Sequence, residues 1–229
     1  MRLFIFDIDG TLANTLGTDD RCFRDTIEAE FSIQVHDDVW EDAKKLTSGT
    51  DSGIFYYLFK EAKHRDPSID ELKFMKTCFF KRLCNDLEES PEKYLEIPGA
   101  KRFFNLILNN TGNAISIATG CWRFSAILKL KALGIKYENI VLSCADEYLL
   151  RKDLVNNAIL EAQKRYLVKS FNLITYFGDG EWDFEAAKAL GINFIGIDFK
   201  ENGVLRKLGV DFVYKNFIEL IEKNDSPYL

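Results

Sequence analysis

The sequence predicts an α/β protein in which a parallel sheet carries helices on both faces and an all-helical block is inserted after the first strand. Three observations lead there. Six short apolar runs rich in β-branched and aromatic residues recur along the chain, each near-continuous rather than alternating, as expected of strands covered on both sides. Helix-period segments separate these runs, and strand–helix alternation implies a parallel sheet. The stretch between the first and second runs contains only helical patterns.

The first strand is expected over 3–8. Past Leu12 the next strand pattern begins only at Ala114. Between them, helices are expected over 21–31, 39–46, 54–63 and 69–87, with loops at 48–53 and 64–68. The run Ile54-Phe55-Tyr56-Tyr57-Leu58-Phe59 reads as the core of this block. Its position makes it a helical cap over the carboxyl edge of the sheet, where open α/β sheets bind ligands. Residues 1–14 and 97–229 are thus expected to form the core domain, and 15–96 the cap. Beyond the cap, a helix over 100–109 follows Pro98-Gly99 and places Phe103, Phe104, Ile107 and Leu108 on one face. Strands follow over 114–118, 140–143, 173–177, 194–197 and 211–214. Helices are expected over 124–133, 153–166, 183–190 and 217–223; Gly134 and Gly191 close two of them. The final KNDSPYL reads as a polar tail.

Bulk properties narrow the function. The 229 residues, 47% hydrophobic and 29% charged, suit a soluble core domain with an insertion. The formal charge of −6 gives no general attraction to nucleic acid or an anionic membrane. Five cysteines, an odd number without a CxxC pair, argue against a disulfide framework or structural zinc and for thiols in a reducing compartment. The opening LFIFDID is too short, and too interrupted by acids, to be a secretory or membrane-spanning segment. A cytoplasmic location is expected.

Four features fall at expected strand ends. Asp7-Ile8-Asp9-Gly10-Thr11 follows the first strand, where residues two apart start on one face. Adjacent carboxylates repel unless a cation or proton holds them; hard oxygen ligands suit magnesium, and a carboxylate can attack phosphorus. A solvated glycine turn is the alternative. Gly178-Asp179-Gly180-Glu181-Trp182-Asp183 follows the strand at 173–177; Asp183 also fits a helix N-terminal acid, whereas Asp179 between two glycines does not. Thr119-Gly120 can bind phosphate by hydroxyl and amide, or simply cap a helix. Lys152 begins a helix, an unfavourable place for a cation unless it meets an anion or solvent.

Together, in this order, the four features resemble the haloacid dehalogenase-like hydrolase superfamily, in its phosphatase branch with a helical cap, phosphoglycolate phosphatase-like. The match runs over nearly the whole chain. DIDGT and GDGEWDFEAAKALG carry it most specifically, ISIATG resembles the second motif, and the sheet would be Rossmann-like. The lysine motif departs, with Lys152-Asp153 where the family often has Lys-Pro and with Arg151 adjacent. Lys152 or Arg151 can fill that role.

The resemblance implies that Asp7 is nucleophile and metal ligand. Asp9 would be acid then base, its carbonyl also binding Mg2+. Asp179 would be a metal ligand, and Asp183 either a ligand or a hydrogen-bond partner behind it. Thr119 and Gly120 would hold the phosphoryl oxygens, and Lys152 would neutralise charge. Asp9 favours phosphoryl transfer over dehalogenation, because alkoxide needs an acid and halide does not. It leaves a phosphatase and a sugar phosphomutase both open, with a non-catalytic binding protein as the third reading. Phosphonate cleavage would use a Schiff-base lysine from the cap; Lys44, Lys45 and Lys60 lie in no recognisable motif. The polar loop containing Ser48, Gly49 and Thr50 either touches the leaving group or merely connects helices. A small phosphorylated metabolite is the expected partner, with the protein a monomer or homodimer.

Overall fold

The computed structural model describes residues 1–227; the last two residues of the expected polar tail lie outside them. Six parallel strands form one sheet: β1 (Arg2–Phe6), β2 (Asn113–Ala118), β3 (Val141–Ser143), β4 (Leu173–Gly178), β5 (Asn193–Ile197) and β6 (Val213–Tyr214). Their order is β3-β2-β1-β4-β5-β6. The chain winds outward one way from β1 through β2 and β3, then returns to the other side at β4. The crevice between the carboxyl ends of β1 and β4 is therefore the topological switch point, where ligands bind in such sheets.

Successive residues of β1 point to opposite faces and enter different cores. Leu3 and Ile5 pack beneath α7 (Arg151–Tyr166) and α8 (Glu181–Leu190). Phe4 and Phe6 pack beneath α5 (Ala100–Leu108), α6 (Arg123–Ala132) and α10 (Phe217–Lys223). This double burial explains why the strands read as unbroken apolar runs.

The inserted block is four helices: α1 (Leu16–Phe31), α2 (Asp37–Leu46), α3 (Asp51–Lys63) and α4 (Ile69–Glu89). Ile54, Phe55, Leu58 and Phe59 are buried within it, as expected of its core. Helix α3 starts inside the loop expected over 48–53, because the Thr50 hydroxyl caps it by accepting from the Gly53 N–H at 3.2 Å. Helix α1 starts five residues earlier than the periodicity indicated, before Gly17 and its neighbouring acids. A short helix α9 (Val204–Lys207) had no sequence signal.

The segments leading into and out of the block lie side by side. Asn14 N–H donates to Leu95 O at 2.8 Å, and Ile97 N–H to Leu12 O at 2.9 Å. The cap also shares apolar packing with the sheet domain through Trp122, whose ring stacks on Phe23 at 5.6 Å and meets Phe79 edge-on at 5.7 Å. Among the described residues, no helix is long and apolar enough to cross a membrane.

Candidate active site

Two strand ends fix the geometry. Phe6 of β1 pairs with Phe177 of β4, so Asp7 and Asp179 leave adjacent strands at the switch point. Gly10 turns the chain there with φ +77°, and a Cβ in its place would lie 2.0 Å from Asp179 Oδ2. Only glycine permits both that dihedral and that approach.

Asp7, Asp179 and Asp183 each bring a carboxylate oxygen within 4.8 Å of the others. Burial pushes the Asp7 carboxyl up to about 7; the Arg151 guanidinium opposes this, and Asp183 and Asp9 add to it. Burial, reinforced by Asp183 and Asp7, also holds Asp179 well above the ordinary carboxylate range. Asp179 Oδ1 is buried without a hydrogen-bond partner, a costly state that a bound cation would relieve. Asp183 is different. Its Oδ1 accepts from the Tyr176 hydroxyl at 2.6 Å and its Oδ2 from the Gly180 N–H at 3.1 Å, so both oxygens already have protein donors.

The cation beside Asp7 is Arg151. Its Nη1 lies 3.1 Å from Asp7 Oδ1 and its Nε 3.5 Å from Asp183 Oδ1. The same guanidinium donates to the carbonyls of Gly49 at 2.8 Å and Ser48 at 3.4 Å. Lys152, the residue expected here, has an exposed side chain beside Glu181 and Glu185 on a surface groove. Of the two adjacent cations expected for this place, Arg151 is the one that meets Asp7. Arg151 opens α7 facing the strand ends, and the next residue is rotated by about 100° around the helix. A guanidinium fork also suits this place better than an ammonium, since it spans two carboxylates and two carbonyls at once.

Asp9 has its own ring of donors. Its Oδ2 accepts from Lys129 Nζ at 2.8 Å and from the Cys121 thiol at 2.6 Å, and its Oδ1 from the Thr15 hydroxyl. Burial alone would raise its pKa, but the Lys129 ammonium, with the Cys121, Lys129 and Thr15 hydrogen bonds, brings it below the ordinary value. Lys129 is fully buried and is also paired with Asp19 of α1. Burial raises Asp19 to about 7 despite that partner. Lys129 was missed in the sequence. Its signal was positional, for it lies three residues after the buried Ala126 and four before the buried Leu133, on the same helix flank.

Thr119 is buried, its hydroxyl accepting from the Cys121 N–H at 3.3 Å. A Cβ on Gly120 would lie 2.1 Å from the Gly49 carbonyl oxygen, so glycine here lets the cap loop close onto the second motif. That loop is well fastened. Asp51 N–H donates to Gly120 O at 2.8 Å, and the Asp51 carboxylate accepts from the Trp122 N–H at 2.8 Å. The Thr50 hydroxyl donates to Leu149 O at 2.7 Å. Of the three expected substrate contacts, Gly49 lines the cavity whereas Ser48 and Thr50 do not; those two secure the loop.

The cavity itself is about 50 Å3, with Asp7, Asp9, Thr119 and Asp179 on its floor and Phe23, Trp40 and Lys44 among its cap walls. The buried indole N–H of Trp40 has no partner among the described residues. Lys44 pairs with Asp20 at 3.3 Å and Glu41 at 2.7 Å. A larger pocket of about 510 Å3 adjoins it, sharing Leu16, Asp20, Lys44, Asp179 and Trp182.

Comparison with curated proteins gave no match. Among solved structures, a hydrolase from Pseudomonas syringae superposes with a TM-score of 0.76 at 21% identity, covering 100% of both chains. β-Phosphoglucomutase from Clostridium difficile gives 0.72 at 16% identity, over 97% of this chain and 95% of that one. A predicted phosphoglycolate phosphatase from Haemophilus somnus gives 0.64 at 16% identity, over 97% of each. These likenesses establish the fold. The family model for haloacid dehalogenase-like hydrolases matches residues 4–197, and the chain belongs to that family.

Proposed function

We propose that the protein is a Mg2+-dependent phosphatase that hydrolyses a small organic phosphate monoester through an aspartyl-phosphate on Asp7. The observation that carries this reading is Asp7 itself. It is a buried carboxylate at the end of the central strand, flanked by the Arg151 guanidinium and by Asp179, whose Oδ1 is unpaired. Asp7, Asp179 and the Asp9 carbonyl would hold Mg2+, and Asp183 would orient Arg151 and the Gly180 loop from behind. The bound ion would supply positive charge against the phosphate dianion.

The chain's own residues account for the rest. Arg151 favours the ionised form of Asp7 against the burial that raises its pKa and holds it by a 3.1 Å contact, and Thr119 with the Gly120 amide would hold the transferring phosphoryl oxygens. Asp7 forms a bond to phosphorus as the ester P–O bond breaks. Asp9 passes a proton to the departing oxygen, then takes one from the water that hydrolyses the aspartyl-phosphate. Lys129 favours the carboxylate form of Asp9, so the first proton enters with the substrate, whose phosphate has a second pKa of about 6. Trp40 and the Asp20–Lys44 pair, which line the cavity from the inserted helices, would meet the leaving group. The small cavity and acidic overall charge support a small metabolite rather than nucleic acid as partner, with the protein a cytoplasmic monomer or homodimer.

The test is a screen of phosphorylated metabolites with Mg2+, scored by phosphate release, alongside Asp7→Asn. Release by the wild type and its loss in Asp7→Asn are expected. An Asp7→Asn protein with full Mg2+-dependent activity would overturn the nucleophile assignment. Isomerisation of a sugar phosphate with little phosphate released would favour a mutase.

A further inference from the structure

We infer that Lys129 is a positioning residue for proton transfer, holding the Asp9 carboxylate in place and tying it to cap helix α1 through Asp19. The inference rests on the phosphatase reading of Asp9. Lys129 stands on α6 of the sheet domain, fully buried, and its ammonium occupies a nest of three acidic or polarisable groups. Asp9 Oδ2 lies at 2.8 Å and Cys121 Sγ at 3.2 Å, with the Asp19 carboxylate completing it. Asp9, Asp19 and Cys121 would by spacing alone suit a metal ion, but the ammonium already fills that place.

Such burial of a lysine is uncommon and needs full pairing. Here the pairing joins two domains. Asp9 belongs to the loop after β1, Asp19 to the first turns of α1, and both line the cavity. Arg151 joins the cap loop to Asp7 through the carbonyls of Ser48 and Gly49. Lys129 does the corresponding work for Asp9. As the ester bond breaks, the proton leaves Asp9 for the departing oxygen and Asp9 gains a negative charge; the ammonium beside its Oδ2 faces that charge without reorganising. Without Lys129, the Asp9 carboxylate would keep only Thr15 and Cys121 as donors and would face the like charge of Asp19.

The test compares phenyl phosphate with p-nitrophenyl phosphate, which differ little in size. p-Nitrophenolate departs with little help, whereas phenolate needs a proton. In Lys129→Met, kcat/KM for phenyl phosphate is expected to fall at least about tenfold further than for p-nitrophenyl phosphate, within the range general acids contribute. Lys129→Arg, which keeps the charge and moves the donor, is expected to recover part of that gap, and it carries the comparison if Lys129→Met does not fold. In an Asp9→Asn background, Lys129→Met should no longer change the ratio of the two esters. Equal losses on both esters would reduce Lys129 to a structural ion pair and overturn the inference while leaving the phosphatase reading intact. Failure of the wild type to release phosphate from either ester with Mg2+ would overturn that reading, and this inference with it.

Discussion

Replacing Arg151 separates the two cations at the start of α7. Arg151 is 3% exposed, and its fork holds Asp7 at 3.1 Å and Asp183 at 3.5 Å while donating to Gly49 O at 2.8 Å and Ser48 O at 3.4 Å. Arg151→Met would strand two buried carboxylates, and breaking a buried pair in this way costs about 3–5 kcal/mol. Domains of ordinary stability have about 5–15 kcal/mol in total, so the variant should fold but melt well below the wild type. Its rate should fall further than its stability explains. Arg151 opposes the burial that raises the Asp7 pKa, and losing one preorganised donor at the reacting carboxylate is expected to cost about 10²–10³ in kcat. Arg151→Lys keeps the charge, but a single ammonium cannot reach both carboxylates and both carbonyls, so an intermediate loss is expected. Lys152→Ala removes only an exposed side chain and should stay within about 0.5 kcal/mol in stability, or about twofold in rate. Steady-state hydrolysis of p-nitrophenyl phosphate with Mg2+, at a temperature where circular dichroism shows every variant folded, measures all four proteins. An inactive Lys152→Ala beside a fully active Arg151→Met would refute the argument.

Other perturbations test neighbouring parts of the site. Asp7, pushed up to about 7, and Asp179, also raised, bind protons more tightly in the folded metal-free protein than in the unfolded chain. The stability this confers is complete below their unfolded value of 3.8 and, for Asp7, is lost as pH rises through about 7; Mg2+ should therefore raise the melting temperature more at pH 8 than at pH 5.5, and equal increments would contradict this. Gly10→Ala places a methyl group 2.0 Å from Asp179 Oδ2 in a left-handed backbone, so Mg2+ affinity measured by calorimetry should drop at least about tenfold, the lower range for disturbed ligand support. Trp122→Ala removes the ring that stacks on Phe23 and meets Phe79 edge-on and the indole N–H donated to Ser52 at 2.7 Å; a stability loss of about 3–5 kcal/mol is expected by denaturant titration.

Much of the fold was legible because each strand is buried on both faces, which leaves an apolar run such as Leu3 to Phe6 with no polar interruption. The acidic groups were legible for the opposite reason, as Asp7 and Asp179 break apolar runs beside glycines. What sequence could not resolve were differences of one helical step. Arg151 and Lys152 are adjacent cations of the same sign, and only the register of α7 decides which meets Asp7. Lys129 escaped because a lysine among apolar residues usually turns outward, and its buried partners Asp9 and Asp19 lie 120 and 110 residues away. Thr50 was readable as a loop polar residue, but its tie to the sheet side was not, since its acceptor Leu149 O lies 99 residues on.

The paired connections at Asn14–Leu95 and Leu12–Ile97 bring the two ends of the insertion together at the rim of the sheet. A segment with adjoining ends behaves as a long loop hung from a fixed frame, and loop-closure entropy rises only slowly with length. Asp7, Thr119 and Asp179 hang from strands on the other side of that junction, so parts of the insertion away from the 48–51 loop and Asp19 can change in size without moving them. On the phosphatase reading, the acidic floor and the helical roof are two parts of separable origin, and a different roof would offer the same floor to another ester.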